Sequence, residues 1–129
     1  MDIATGIAWA VERGAAIINL SLGGPGESPL LAGAVANARS KGVLVVAAAG
    51  NGGSGVVEVP ARIPGVLAVS ATNDAGALAA FSSYGPEIAV AAPGVRMPLR
   101  PRPRLVPRSA RSSGPSGRSA TSPRLTCQS

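Results

Sequence analysis

The run Val43-Leu44-Val45-Val46-Ala47-Ala48-Ala49 is apolar at every position and constrains the fold more than any other part of the chain. A strand with one wet face alternates apolar and polar residues, whereas a strand that is apolar throughout fits the interior of a parallel sheet. The flanking sequence agrees. Ala16-Ile17-Ile18-Asn19-Leu20-Ser21-Leu22 is a second apolar, β-branched run, closed by the loop Gly23-Gly24-Pro25-Gly26. Between the two runs, Leu30, Leu31, Ala34, Val35 and Ala38 share one helical face. Ser28 suits the N-cap of that helix, Pro29 its first position and Lys41-Gly42 its end. Strand, helix and strand in so short a span imply a βαβ crossover, right-handed by the general rule for parallel strands.

The same reasoning extends in both directions. Ile3, Ile7, Ala10 and Val11 recur at helical spacing, with Gly14 placed for a left-handed cap. Val66-Leu67-Ala68-Val69-Ser70-Ala71 and Ile88-Ala89-Val90-Ala91 read as two further strands. The expected fold class is therefore α/β, a mainly parallel sheet of at least four strands flanked by helices over residues 1–95. The only aromatic residues are Trp9, Phe81 and Tyr84, so the core must be built from Ala, Val, Leu and Ile. Phe81 and Tyr84 are expected to pack a loop region as core residues.

Charge divides the chain sharply. Residues 1–95 carry four basic residues (Arg13, Arg39, Lys41, Arg62) and six acidic ones, a net −2. Residues 96–129 carry eight arginines and no acid, a net +8, which gives +6 for the whole. From Arg96 the texture becomes Arg, Pro and Ser without apolar periodicity, as in Arg100-Pro101-Arg102-Pro103-Arg104. Such a segment buries too little surface to offset its ordering entropy, so a disordered basic C-terminal tail is expected. Cys127 is the single cysteine and there is no histidine, which excludes an internal disulfide and leaves no plausible zinc or transition-metal site. No apolar run reaches the length of a membrane span, and Met1-Asp2-Ile3 opens directly into helix-like sequence instead of a leader segment.

Three stretches carry a resemblance in their joint order and spacing: Ile18-Asn19-Leu20-Ser21-Leu22-Gly23-Gly24, then Val45-Val46-Ala47-Ala48-Ala49-Gly50-Asn51, then Phe81-Ser82-Ser83-Tyr84-Gly85-Pro86 leading to Ala92-Pro93-Gly94. Together they resemble the middle part of the catalytic domain of the subtilisin-like serine proteases (subtilases, peptidase S8). The resemblance covers Ile3 to Val95 and implies a subtilisin-like partial domain acting on polypeptide. It implies that Ser21, Leu22 and Gly23 pair with substrate backbone as an added strand, and that Ala48, Ala49 and Gly50 form the other wall of the main specificity pocket. From the residues alone, Gly23-Gly24 serves equally to turn the chain and the alanines to pack. Asn51 matches the oxyanion-hole residue, whose amide donates to the oxygen that becomes negative in the transition state. Removing such a donor costs about 2.7–4 kcal/mol, a value measured on subtilisin itself and borrowed for this relative. Taken alone, Asn51-Gly52 also reads as a turn dipeptide. The resemblance implies no cofactor. Some family members hold a structural cation on backbone carbonyls of the loop matching Val59-Pro60 and Ile63-Pro64, and none is expected here.

The triad is the conspicuous gap. The family's aspartate and histidine lie before the matched region and its nucleophilic serine after it. No histidine is present to shuttle the proton. After Ala92-Pro93-Gly94-Val95 the family pattern stops, and Ser119-Ala120-Thr121-Ser122-Pro123 lacks the nucleophile motif. An abrupt change to arginine-rich, acid-free sequence is what a shifted reading frame in a GC-rich gene would produce. Lys41 closes a helix, which disfavours a Ser–Lys dyad. The leading expectation is a truncated serine endopeptidase, inactive alone. A non-enzymatic peptide-binding module is the alternative, and polyanion binding through the tail is a third reading, without aromatic residues for specific nucleic-acid recognition. Family members are usually secreted, a point on which this chain carries no export signal.

Overall fold

The computed structural model describes residues 2–95, and the expectations for the basic tail, its disorder, its frame and its polyanion binding lie outside the described residues. Among the described residues, two helices and four strands follow in the order α1 (Ile3–Glu12), β1 (Ile17–Leu20), α2 (Pro29–Ser40), β2 (Leu44–Ala48), β3 (Leu67–Thr72) and β4 (Ile88–Pro93).

Each helix begins and ends where its local chemistry dictates. The Asp2 carboxylate accepts a hydrogen bond from the Thr5 N–H at 2.7 Å and caps α1. That bond to the ionised form holds the Asp2 carboxyl below its usual range. Ala4, Ile7 and Val11 form the buried stripe of α1, while Trp9 stays outside with the Arg13 guanidinium 5.0 Å from its ring centre. In α2 the Ser28 hydroxyl accepts from the Leu31 N–H at 3.2 Å, and Pro29 occupies the first turn, where its missing donor costs nothing. Gly42 ends the helix at φ 77° with its N–H on the Arg39 carbonyl at 2.9 Å.

All strands are parallel, and their spatial order equals their chain order. Register places Ile18 opposite Val45 and Ala47 opposite Ala68, so these residues share a face. The face is covered by α1 and α2 through Ile7, Leu31, Val35 and Ala38, making one continuous core. Burial of a side chain such as Val35 or Val45 contributes about 1.5–3 kcal/mol.

The expectation that β2 is buried on both faces holds for only one. Val45 and Ala47 are inaccessible, but Leu44 is 42% exposed and Ala48 is also exposed. The reason is layering: no element among the described residues covers the face that carries Ile17, Leu44, Val46 and Ala48. Phe81 and Tyr84 likewise depart from expectation, being 41% and 49% exposed. The Tyr84 ring lies against Gly55, and the buried residues of that segment are Ser82 and Ser83. Among the described residues no helix is long and apolar enough to cross a membrane.

Candidate functional site

Gly50 and Asn51 leave the carboxyl end of β2, the end at which parallel sheets present ligand crevices. Gly50 adopts φ 108°, a conformation open to glycine and strained for other residues. The turn carries Asn51 outward, where its amide makes no hydrogen bond among the described residues. Three backbone bonds fix this loop to residues 81–84: Gly53 N–H to Phe81 O at 2.7 Å, Ser83 N–H to Gly50 O at 3.0 Å, and Tyr84 N–H to Ser54 O at 3.0 Å. Buried hydroxyls in turn anchor that segment to β3. Ser82 Oγ accepts the Ala71 N–H at 2.9 Å, and Ser70 Oγ donates to the Ser83 carbonyl at 2.9 Å.

Ser21-Leu22-Gly23 extends beyond the carboxyl end of β1 and is exposed. Its continuation is pinned from below, because Gly24 and Val59 form an antiparallel bridge with N–H to O distances of 3.1 and 3.0 Å. The preceding residue of the same strap, Glu58, donates its N–H to Ala49 O at 2.9 Å. One short segment thus ties the β1 extension to the β2 extension, and the two form opposing walls.

Five of the seven expected site residues, Ser21, Ala48, Ala49, Gly50 and Asn51, line one hollow of about 410 Å³ at the strand ends on the uncovered face. Leu22 and Gly23 line a second hollow of about 520 Å³ that reaches the first turns of α1 and α2. Sequence reasoning missed Glu58, whose side chain lies against Gly23 and Gly50 and lines a third hollow of about 360 Å³ with Gly24, Gly52 and Arg62; the available signal was a lone acid set among Val56, Val57 and Val59. Lys41 stands at the amino end of β2, opposite to Asn51, which removes it from any dyad at this site. Among the described residues no three His, Cys, Asp or Glu side chains converge on a possible metal position.

A profile of the subtilase family, peptidase S8, matches residues 1–128. The chain belongs to the subtilase family. A thermostable alkaline protease of Halalkalibacterium halodurans is 48% identical over 96 residues, which are 74% of this chain and 27% of that protein. Subtilisin Savinase of Lederbergia lenta is 47% identical over 96 residues, 74% of this chain and 36% of that protein. Among solved structures, a psychrophilic subtilisin-like protease from the Antarctic psychrotroph Pseudoalteromonas sp. AS-11 superposes with a TM-score of 0.69 at 33% identity, covering 73% of this chain and 22% of the other. This subtilase chain therefore has a subtilisin-like parallel sheet, and it spans about a quarter to a third of the length of these curated relatives.

Proposed function

We propose that this subtilase chain supplies the substrate-pairing strand, one pocket wall and the oxyanion donor of a serine endopeptidase, and that its 129 residues alone bind an extended polypeptide without cleaving it. The observation that carries the reading is the strap at Glu58-Val59, bonded to Ala49 on one side and Gly24 on the other, which holds two strand extensions apart as walls.

Each wall has its own task. Ser21-Leu22-Gly23 presents unpaired backbone at the end of an outer strand, and an extended peptide adds to such an edge through main-chain hydrogen bonds. Small residues at Gly23, Ala48, Ala49 and Gly50 let that backbone approach closely. A carbonyl positioned there would have the Asn51 amide near the oxygen that gains charge as the carbon becomes tetrahedral, and a donor aimed at that oxygen lowers the barrier. Peptide-bond hydrolysis through an acyl-enzyme also needs a nucleophile and a base that passes its proton to the leaving amine. This chain has no histidine to serve as the base, and its Ser119-Ala120-Thr121-Ser122-Pro123 stretch lacks the nucleophile motif.

The direct test pairs binding with turnover. Titration of the purified chain with a labelled extended peptide should give saturable binding, and an unstructured protein substrate should survive incubation intact. Cleavage blocked by a serine-directed inhibitor would overturn the claim that the chain is inactive by itself.

A further inference from the structure

The Glu58 side chain stands in the gap between the two walls. A Cβ added to Gly50 would lie 2.5 Å from its Cδ and 2.7 Å from its Oε1, and a Cβ added to Gly23 would overlap its Oε2. Both walls are glycine at the points where they face the carboxylate. The backbone beneath is fixed too, since Glu58 N–H is bonded to Ala49 and Val59 N–H to Gly24. The backbone beneath the carboxylate is therefore fixed, and the two glycines leave the room in which its side chain lies.

No cation neutralises it among the described residues. Arg62 is the nearest basic residue along the chain, but its Nη2 donates to the Gly26 carbonyl and lies 3.9 Å from Glu27 Oε1. Glu58 is half-buried and has no side-chain hydrogen bond or ion pair among the described residues. A carboxylate that has lost part of its hydration without gaining a partner is poised to accept one.

A peptide added along Ser21-Leu22-Gly23 directs alternate side chains to opposite sides of its backbone, and one of them is directed at the carboxylate that stands in the gap. We infer that Glu58 selects a basic residue, arginine ahead of lysine, at the substrate position whose side chain meets the carboxylate held between Gly23 and Gly50. A guanidinium matches a carboxylate with two parallel donors, while an ammonium offers a point charge. An acidic side chain there meets like charge, and a large apolar one would cover the carboxylate without pairing it, so both are disfavoured. This inference rests on the peptide-binding reading above and adds the class of residue recognised.

The experiment titrates short capped alanine peptides that differ at one position, Arg, Lys, Leu or Glu, against the full chain and its Glu58→Gln and Glu58→Ala variants. Amide protection of β2 in each variant establishes that the fold is retained. The arginine peptide should bind most tightly, weaken about tenfold or more with Glu58→Gln, and lose its advantage as salt is raised. The leucine peptide should gain on it in Glu58→Ala. Equal binding of the arginine and leucine peptides, unchanged by Glu58→Gln, would overturn the role of Glu58 while leaving peptide binding intact. No binding by any peptide would remove the underlying functional reading, and this inference with it.

Discussion

Gly24 and Val59 exchange both of their backbone hydrogen bonds across an antiparallel bridge, although they lie on segments that follow different strands of the parallel sheet. This bridge, with the bond from Glu58 N–H to Ala49 O, sets the width of the groove and leaves the Glu58 side chain between Gly23 and Gly50.

A double-mutant cycle tests that placement. Gly23→Ala puts a methyl group onto the Glu58 carboxylate, a flexible end that can move, so the loss of stability should be largely relieved in Gly23→Ala/Glu58→Ala. Gly50→Ala should not be relieved in the same way, because its φ of 108° adds about 1–3 kcal/mol of strain whatever residue stands at 58. Urea unfolding of the single and double variants gives the coupling. A coupling energy near zero for the Gly23–Glu58 pair would place the carboxylate elsewhere.

Ser82 and Ser83 are both fully buried yet should respond oppositely to removal of the hydroxyl. Ser82 Oγ accepts from Ala71 and donates to the Ser83 carbonyl at 3.2 Å, so Ser82→Ala should cost about 1–3 kcal/mol by leaving the half-buried Ala71 N–H unpaired. Ser83 Oγ has no partner among the described residues, and Ser83→Ala should be neutral or stabilising by about 1 kcal/mol. Thermal denaturation of the two variants distinguishes them, and equal losses would contradict the hydrogen-bond assignment.

Acid should loosen α1 first at its amino end. The Thr5 N–H bond stabilises ionised Asp2, so its folded pKa lies below the unfolded value. The cap's contribution is present above the unfolded value and is lost as pH falls through the lowered folded one. Protection of the Thr5 amide, relative to its intrinsic exchange rate at each pH, should fall over that acid range, and Asp2→Asn, which retains an acceptor, should abolish the dependence. An unchanged Thr5 amide across the titration would contradict the cap.

The two faces of the sheet should differ in their sensitivity to truncation. Leu31→Ala removes a buried side chain from the helix-covered core and should cost about 2–5 kcal/mol. Leu44→Ala acts on the uncovered face and should cost well under 1 kcal/mol, while reducing self-association that this apolar face favours. Denaturant midpoints and light scattering check both halves of the statement.

These contrasts follow the boundary between what was legible in the sequence and what was not. Ser28-Pro29, Gly14 and Gly42 punctuate the helices through local chemistry, so α1 and α2 lie where their patterns put them. The β2 run is a strand because seven apolar residues demand a sheet, but which of its faces is covered depends on elements distant in sequence. Phe81 and Tyr84 looked like core residues because of their size. Their segment instead turns its small serines inward, where the Ser82 hydroxyl accepts from the β3 backbone and the Ser83 carbonyl accepts from Ser70 of β3, and leaves the rings outside. Asn51 and its neighbours were singled out through motif order, whereas Glu58 comes to lie against Gly23 and Gly50 only through long-range backbone bonds that no local pattern reports.

The measurement that bears most directly on the account is amide hydrogen exchange of the full chain with and without a saturating extended peptide carrying one arginine. The account predicts protection across Leu44–Ala48 and at Gly24 and Val59 before peptide is added, with new protection confined to Ser21–Gly23 and the Gly50–Asn51 turn afterwards. Unprotected β2 amides, or a bound peptide that leaves Ser21–Gly23 exchanging freely, would contradict it.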